Sequence, residues 1–380
     1  MLLTTCAASS SISNPERVDL DRLCYNRPTW AVGASMVVTI ATEASQPRQG
    51  RLRPLEPVRD LRDVSRLIGD AFASDMDERG RAALRELRWM ARLSPLVWWL
   101  SQADPEFRDA FRGFVWEAPG AAGQRARVVG NANVNRAPGN RQWYIVCNVV
   151  VAAEYRNRGI GRQLTAAATD EADGLGAQGV LLQVHQDNRP AMHLYLDLGF
   201  REVSGEAILW AEEVPPVAVV EGVDYQVRPA QPGDGPKIYE LARQAVPLEQ
   251  QWIRPLQQQD YWPDALSRLM TRTSDLLSNR TTYRLVALAP GRQGQVPVAL
   301  ASVTASFGRR AHRLALLVQP EHAGRVETHL LSRALHLLAA APARPVRATL
   351  YTNGPAALKV LGSYGFRERR TLLTMRRDFR

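Results

Sequence analysis

The stretch Trp143-Tyr144-Ile145-Val146-Cys147-Asn148-Val149-Val150-Val151, followed four residues later by Arg156-Asn157-Arg158-Gly159-Ile160-Gly161, decides how this chain is read. Its first part is an almost unbroken apolar, β-branched run, the pattern of a strand buried on both faces. Its second part is a basic, glycine-containing turn that opens a helix-forming segment. Gly159 and Gly161 carry no Cβ to hold a ligand off the backbone, so the N–H groups of the first helical turn can meet an anion. Arg156 and Arg158 place positive charge beside them. Taken alone, such a turn is equally a solvated strand-to-helix connection, and its neighbours must decide between the two.

Past the next predicted strand, Val180 to Val184, the sequence reads Asn188-Arg189-Pro190-Ala191-Met192-His193-Leu194-Tyr195-Leu196-Asp197-Leu198-Gly199-Phe200. The R-x-x-G-x-G turn after one strand and the N-x-x-A-x-x-L-Y-x-x-x-G-F helix after the next resemble, in this order, the GNAT N-acetyltransferase superfamily. The resemblance implies that Arg156, Asn157, Arg158, Gly159, Ile160 and Gly161 bind the pyrophosphate of acetyl-CoA, and that backbone groups of Val149, Val150 and Val151 pair with its pantetheine arm. It further implies a cofactor contact for Asn188 and a role for Tyr195 as the acid that protonates the departing thiolate. Independently of function, Gly199 reads as a helix C-cap, Phe200 as a core residue and Tyr195 as an amphipathic filler.

Acetyl transfer asks mainly for positioning: an amine attacks the thioester carbonyl, and a backbone N–H near Val149 to Val151 stabilises the oxyanion. The amine must be neutral, and a lysine-like amine of pKa about 10.4 is so only a few times in about ten thousand at pH 7. Candidates for the base are Glu117, near the end of a predicted strand, and His185, at the end of the strand before the Tyr195 helix. Asn148 as a water-holder and Glu154 just after the first strand remain open beside them. Glu154 reads equally as a solvated turn residue and His185 as a satisfied strand-end histidine.

The two halves of the chain are similar to each other at a spacing of roughly 165 to 175 residues, a domain duplication. Leu52-Arg53-Pro54 matches Val227-Arg228-Pro229, Glu154-Tyr155 lies over Glu321-His322, and Gly199-Phe200-Arg201-Glu202 lies over Gly365-Phe366-Arg367-Glu368. The functional positions are not carried across. Under Arg156, Gly159 and Gly161 stand Ala323, Val326 and Thr328, and Val360 stands under Tyr195. The expected architecture is therefore mixed α/β (α+β): two tandem GNAT-like domains, each a strongly twisted mixed sheet flanked by helices. The boundaries are a poorly ordered extension over 1–50, an active domain over 51–213, a linker over 214–224 and a degenerate domain over 225–380. Met36 is an alternative start.

Within the first domain the pattern predicts a strand near Leu52, helices over Val58 to Ala73 and Ala82 to Ala103, and strands over Phe111 to Glu117, Arg127 to Asn135 and Trp143 to Val151. Helices over Gly159 to Leu175 and Pro190 to Leu198 then alternate with strands over Val180 to Val184 and Glu202 to Trp210. By resemblance, the strands at 143–151 and 180–184 splay apart to admit the cofactor. The aromatic segment Trp89 to Leu100 reads as packing against the sheet or the second domain, with an acceptor pocket for an apolar or aromatic amine as the functional alternative.

At 380 residues, 45% hydrophobic and 23% charged, the chain has the length and composition of two full cores of ordinary globular protein. The net charge of +10 comes almost wholly from arginine spread along both halves, without a dense basic run interleaved with aromatics, so no nucleic-acid partner is expected. Cys6, Cys24 and Cys147 form no even framework, and the six histidines no ligand cluster, so no metal and a reducing cytoplasm are expected. No apolar run approaches the length of a membrane span. The expectation is a cytoplasmic N-acetyltransferase, monomer or homodimer, moving an acetyl group from acetyl-CoA to a small-molecule or peptide amine. The alternative is a non-catalytic CoA-binding or interaction module of the same fold.

Overall fold

The computed structural model describes residues 50–72, 78–92, 109–120, 125–222, 224–261, 278–291 and 294–379, with the isolated positions 270, 273 and 275. The first half contributes β1 (Arg51–Pro54), α1 (Pro57–Phe72), α2 (Glu78–Met90), β2 (Gly113–Ala118), β3 (Arg127–Arg136), β4 (Trp143–Val151), α3 (Ile160–Gly174), β5 (Gly179–His185), α4 (Arg189–Asp197) and β6 (Arg201–Ala211). The second contributes β7 (Gln226–Pro229), α5 (Gly235–Ala245), α6 (Leu248–Ile253), α7 (Gln258–Tyr261), β8 (Arg280–Gly291), β9 (Gly294–Ser306), β10 (His312–Val318), α8 (Glu327–Ala339), β11 (Val346–Tyr351), α9 (Pro355–Ser363) and β12 (Arg367–Asp378). This is the mixed α/β arrangement that the sequence predicts.

Each half starts with the same local device. In the first, Arg53 donates to both oxygens of Asp60 at 2.6 and 2.8 Å, while Asp60 accepts the backbone N–H of Glu56 at 2.8 Å and so caps α1. In the second, Arg228 reaches both oxygens of Asp234 at 2.7 and 2.9 Å, and Asp234 accepts the backbone N–H of Gln231 at 2.7 Å. The Arg-Pro dipeptides at 53–54 and 228–229 are thus the visible end of a duplicated strand-to-helix clamp.

All twelve strands form one sheet in the order β1-β2-β3-β4-β5-β12-β6-β11-β10-β9-β8-β7. The order is a palindrome of the duplicated strands, and its centre is an exchange. The last strand of the second half, β12, lies antiparallel between β5 and β6, with Leu373 opposite Val184 on one side and Gly205 on the other. The last strand of the first half, β6, pairs in turn with β11 of the second, Leu209 opposite Ala348. Each half is completed by the other's final strand. The linker does not hang free: the backbone N–H of Val220 donates to Ser332 Oγ of α8 at 3.1 Å.

One face of the first half packs α3 and α4 over Val129, Ala132, Val134, Val146, Val149, Val151, Val180, Leu182 and Val184. On the opposite face, α1 and α2 cover Val115, Val128 and Val150. Further along that face Ile253 of α6, from the second half, covers Trp143, Ile145 and Leu181. There Trp143 and Trp252 stack at 4.9 Å, with the Arg376 guanidinium of β12 4.4 Å from the first ring and 5.5 Å from the second.

Several bounds differ from the sequence reading. Phe111 precedes β2 and packs as a buried anchor beneath α1 and α2, because strand pairing begins only at Gly113 opposite Asn133. The helix expected over Ala82 to Ala103 ends at Met90, and 93–108, with most of the aromatic segment, lies outside the described residues, as do 1–49. Trp89 is 59% exposed and so does not pack as the stripe reading expects.

Because β12 and β6 are shared, the two halves are expected to unfold in a single calorimetric transition, and a chain shortened to remove 367–380 is expected to lose the protection of β5 amides as well as its own half's. Two separate transitions in the intact chain would refute this coupling.

Candidate active site

The parallel pairing of β4 with β5 runs through Trp143–Gly179, Tyr144–Val180 and Ile145–Leu181 and stops there. Beyond it β5 keeps its other edge on β12, as it does along its whole length, while its ladder with β4 ends, so that from Val146 onward the edge of β4 faces the gap, or cleft, between the two parted strands. This is the splay expected from the sequence. Within it β4 bulges. Asn133 faces Cys147 and Asn131 faces Val150, so that Asn148 and Val149 together oppose Ala132, with Asn148 at φ +53°.

The turn that follows has the shape of an anion cradle. Asn157 (φ +58°) and Gly159 (φ +72°) take left-handed conformations, and Gly159 caps α3 without a side chain to accept from its first turn. Arg156 Nε donates to Val151 O at 3.0 Å, tying the turn to the end of β4. Arg158 Nη2 donates to Glu154 O at 2.7 Å, with its guanidinium 5.1 Å from the Tyr155 ring centre. A Cβ at Gly161 would meet only Leu194 at 3.6 Å and Val151 at 3.9 Å, ordinary contacts, so packing within the protein does not demand glycine there. The elements bordering the cleft also hold two enclosed donors without an acceptor, Nη1 of Arg158 and Nδ2 of Asn188. Such donors are costly unless a ligand supplies an acceptor, and a phosphate or an amide carbonyl does. The residues present therefore fit an acyl-CoA.

Asn188 caps α4 by accepting the N–H of Ala191 at 3.3 Å, with Pro190 in the first turn. Gly199 at φ +84° ends the helix, and the N–H of Phe200 returns to Tyr195 O at 3.0 Å. Tyr195 is 2% exposed and packs edge-to-face on Phe200 at 5.9 Å. Burial pushes its phenol well above the ordinary tyrosine value, so the group holds its proton.

The sequence candidates for a base are scattered. Glu117 lies on the α1 side of β2, bonded to Arg51 at 2.9 Å, Arg53 at 3.2 Å and Arg59. Burial works to raise its pKa, but the hydrogen bonds from Arg53 and Arg51 and the charge of Arg53 and Arg59 outweigh it and hold the carboxyl below its usual value. Glu154 is exposed and paired with Arg127. His185 ends β5, half-buried, opposite Leu372 of β12. Asn148 belongs to a buried amide cluster with Asn131 and Asn133.

Residues 82–200 match the acetyltransferase (GNAT) family. The chain carries a GNAT acetyltransferase domain. It is 31% identical over 103 residues to a mycothiol acetyltransferase of Corynebacterium aurimucosum, covering 26% of this chain and 33% of that protein. It is 40% identical over 57 residues to an uncharacterised N-acetyltransferase of Bacillus subtilis, covering 15% of this chain and 23% of that one. The chain thus spans a third or less of these two relatives. A GCN5-related N-acetyltransferase structure from Sphaerobacter thermophilus has the same fold at TM-score 0.50 and 18% identity, covering 88% of this chain and 97% of that one.

The second half repeats the parting of strands in a different state. Pairing of β10 with β11 also stops early, at Ala315–Thr349, and a cavity of about 140 Å³ lies beyond it, between Leu316 and Tyr351. Yet β10 pairs with β9 without a bulge. In the matching turn Arg325 Nη2 still reaches Glu321 O, at 2.5 Å, but Glu327 in the first turn of α8 folds back so that both carboxylate oxygens accept the Gly324 N–H at 2.9 Å. Glu327 is 2% exposed. A built-in carboxylate takes the place where the first half presents Ile160 and an open helix end. Sequence comparison passed over Glu327 because it weighed only the lost glycines and arginine; an acidic residue in a cradle position was the available signal.

Replacing Glu117 by Gln is expected to destabilise the fold by about 1–3 kcal/mol at pH 7, since three arginines lose a buried partner. A carboxylate with a depressed folded pKa stabilises above its unfolded value and loses that contribution as pH falls through the folded one. The difference between the two proteins should therefore shrink below about pH 4 in denaturant titrations; a constant difference would place the cost elsewhere.

Proposed function

We propose that this protein is an acetyl-CoA-dependent N-acetyltransferase with one working site, in the first half, acting on a primary amine by direct attack in a ternary complex. The observation that carries this reading is the pair of enclosed, acceptor-less donors on Arg158 and Asn188, set beside a cleft that the parting of β4 and β5 keeps open. Acetyl-CoA supplies the activated acyl group. Arg156, Asn157, Arg158, Gly159, Ile160 and Gly161 hold its pyrophosphate on the amino end of α3, and the free edge of β4 at Val149, Val150 and Val151 pairs with its amide-bearing arm.

The bulge at Asn148 interrupts the ladder of β4 with β3, and a backbone donor of β4 near it stabilises the oxyanion. Tyr195, kept protonated by burial, delivers its proton to the leaving thiolate. Glu117, bound by arginines and held ionised, serves the fold rather than the amine. A base taken from His185, or a water held by the Asn148 cluster, receives the proton of the attacking amine. The second half supplies β12, which holds β5 away from β4, and α6, which covers the neighbouring face; with Glu327 in its own cradle it binds no cofactor.

Tyr195→Phe is expected to lower kcat by about a hundredfold or more while leaving acetyl-CoA affinity within about twofold; unchanged turnover removes Tyr195 from the mechanism. Calorimetric titration with acetyl-CoA is expected to give one site per chain, abolished by Gly161→Glu and untouched by Thr328→Glu. Two sites, or equal loss from both substitutions, would overturn the single-site reading.

A further inference from the structure

The face of the sheet opposite α3 carries a floor of buried amides that is wider than a single water site beside Asn148 would need. On β3, residues 131, 133 and 135 point to this face while Ala132 and Val134 point to α3. Asn131 Nδ2 donates to Asn133 Oδ1 and to the backbone oxygen of Asn148, each at 2.9 Å, and Asn148 Nδ2 donates to Asn133 Oδ1 at 3.2 Å. Beside them on β5, Gln183 Nε2 donates to Thr374 Oγ1 of β12 at 3.2 Å, and Gln250 of α6 donates to the same hydroxyl at 2.8 Å.

Donors in this floor are used; acceptors are left over. The side-chain oxygens of Asn131, Asn135, Asn148 and Gln183 are all enclosed without a partner, in residues only 0, 5, 8 and 8% exposed. Four buried carbonyl oxygens lacking donors, gathered in one patch, call for a partner that donates to them. The duplication supplies the comparison. Counting strand pairs back from Val151–Gly130 and Val318–Ala299, the second half places Leu300, Ser302 and Thr304 at the positions of Asn131, Asn133 and Asn135, and Thr349 at that of Gln183. Where the cradle is filled by Glu327, the amides are gone.

We propose that this floor binds the acceptor, and that it selects a small amine whose carbon frame bears several hydroxyl groups, the chemistry of an amino sugar or amino alcohol. The inference rests on the acetyl-transfer reading for the direction of approach: Tyr195 and the apolar core occupy the α3 side of the parted strands, so the amine enters from the other side, across the amides. Hydroxyl groups donate to the unpartnered oxygens. No carboxylate belongs to either amide group among the described residues, so a polyamine finds no counter-charge, and an alkyl or aromatic amine leaves the oxygens unpaired. The apolar acceptor considered from the Trp89 segment is replaced by a polar one.

The test is calorimetric binding of glucosamine, mannosamine and serinol, against cyclohexylamine and spermidine, to the full chain in the presence of CoA, paired with thiol release from acetyl-CoA. Hydroxylated amines are expected to bind at least tenfold tighter than cyclohexylamine and spermidine. Asn131→Leu, which installs the second half's residue, is expected to erase that preference while leaving CoA affinity unchanged, its folding being checked by a cooperative melting transition; Gln183→Thr is the companion variant should Asn131→Leu not fold. Equal or tighter binding of cyclohexylamine or spermidine, no binding of any hydroxylated amine, or preference retained in the folded variants overturns the proposal. Hydroxylated amines that bind through Asn131 without thiol release support the floor and refute the transferase reading; thiol release with cyclohexylamine as efficient as with glucosamine does the reverse.

Discussion

The insertion of β12 between β5 and β6 is the constraint on which the rest of the molecule depends. A strand such as β5 that diverges from β4 loses backbone partners along one edge, and a parted strand survives only if its other edge is fully paired. β12 provides that pairing from His185 to Gly179, seven consecutive positions. The same strand carries Arg376, whose guanidinium lies against Trp143 and Trp252 and is paired with Glu249 and Asp378. The contact joins β4, β12 and α6 at the point where the cleft closes, so the width of the cleft is set by a strand and a helix from the other half of the chain.

This dependence explains how the second half can depart from the first at its helix end and keep its fold. The clamp of Arg228 on Asp234, the early end of β10–β11 pairing and the Arg325 contact to Glu321 all persist. They shape the second half, and the second half shapes the first. The helix end facing the cleft is a different matter. An open amino end of a helix favours an anion, and with no ligand to receive, a carboxylate from its own first turn satisfies it at little cost. Glu327 is that solution.

Much of this was legible from one sequence. The strand at Trp143 to Val151, the helix punctuation at Gly159 and Gly199 and the repeat at Arg53 and Arg228 are local signals, because glycine at positive φ, proline in a first turn and an apolar run each act through neighbours a few residues away. The exchange of β6 and β12 was not legible. Both strands have the same composition whichever half they complete, and pairing of His185 with Leu372 is a choice between nearly equivalent edges. The surroundings of Glu117 were hidden for a related reason: a glutamate at a strand end looks the same whether it faces solvent, a substrate or three arginines, and Arg51 and Arg53 reach it through the pairing of β1 with β2, Arg59 from the first turn of α1. The amide floor was half visible. Asn131, Asn133 and Asn135 alternate along β3, but only the fold shows that the polar side of that alternation is buried.

The two halves together act as an internal control on which polar groups matter. A fold that appears twice in one chain has the same backbone demands twice, so a polar group required by the backbone should be satisfied in both copies. Among the described residues, the enclosed groups without partners include Arg158, Asn188, Asn131, Asn135, Asn148 and Gln183 around the first cleft, whereas in the second half they are Arg344 and Arg347, neither of which lines its cleft. Both halves carry the stabilising clamp, and only the first carries unpartnered amides beside its cleft. Unpartnered donors lie beside the cradle turn and unpartnered acceptors lie on the opposite face, on two sides of the same parted strands. A polyanion with an amide-bearing arm complements the first set, and a hydroxylated amine complements the second. The bulge at Asn148, beside the second set, has no counterpart in the pairing of β9 with β10.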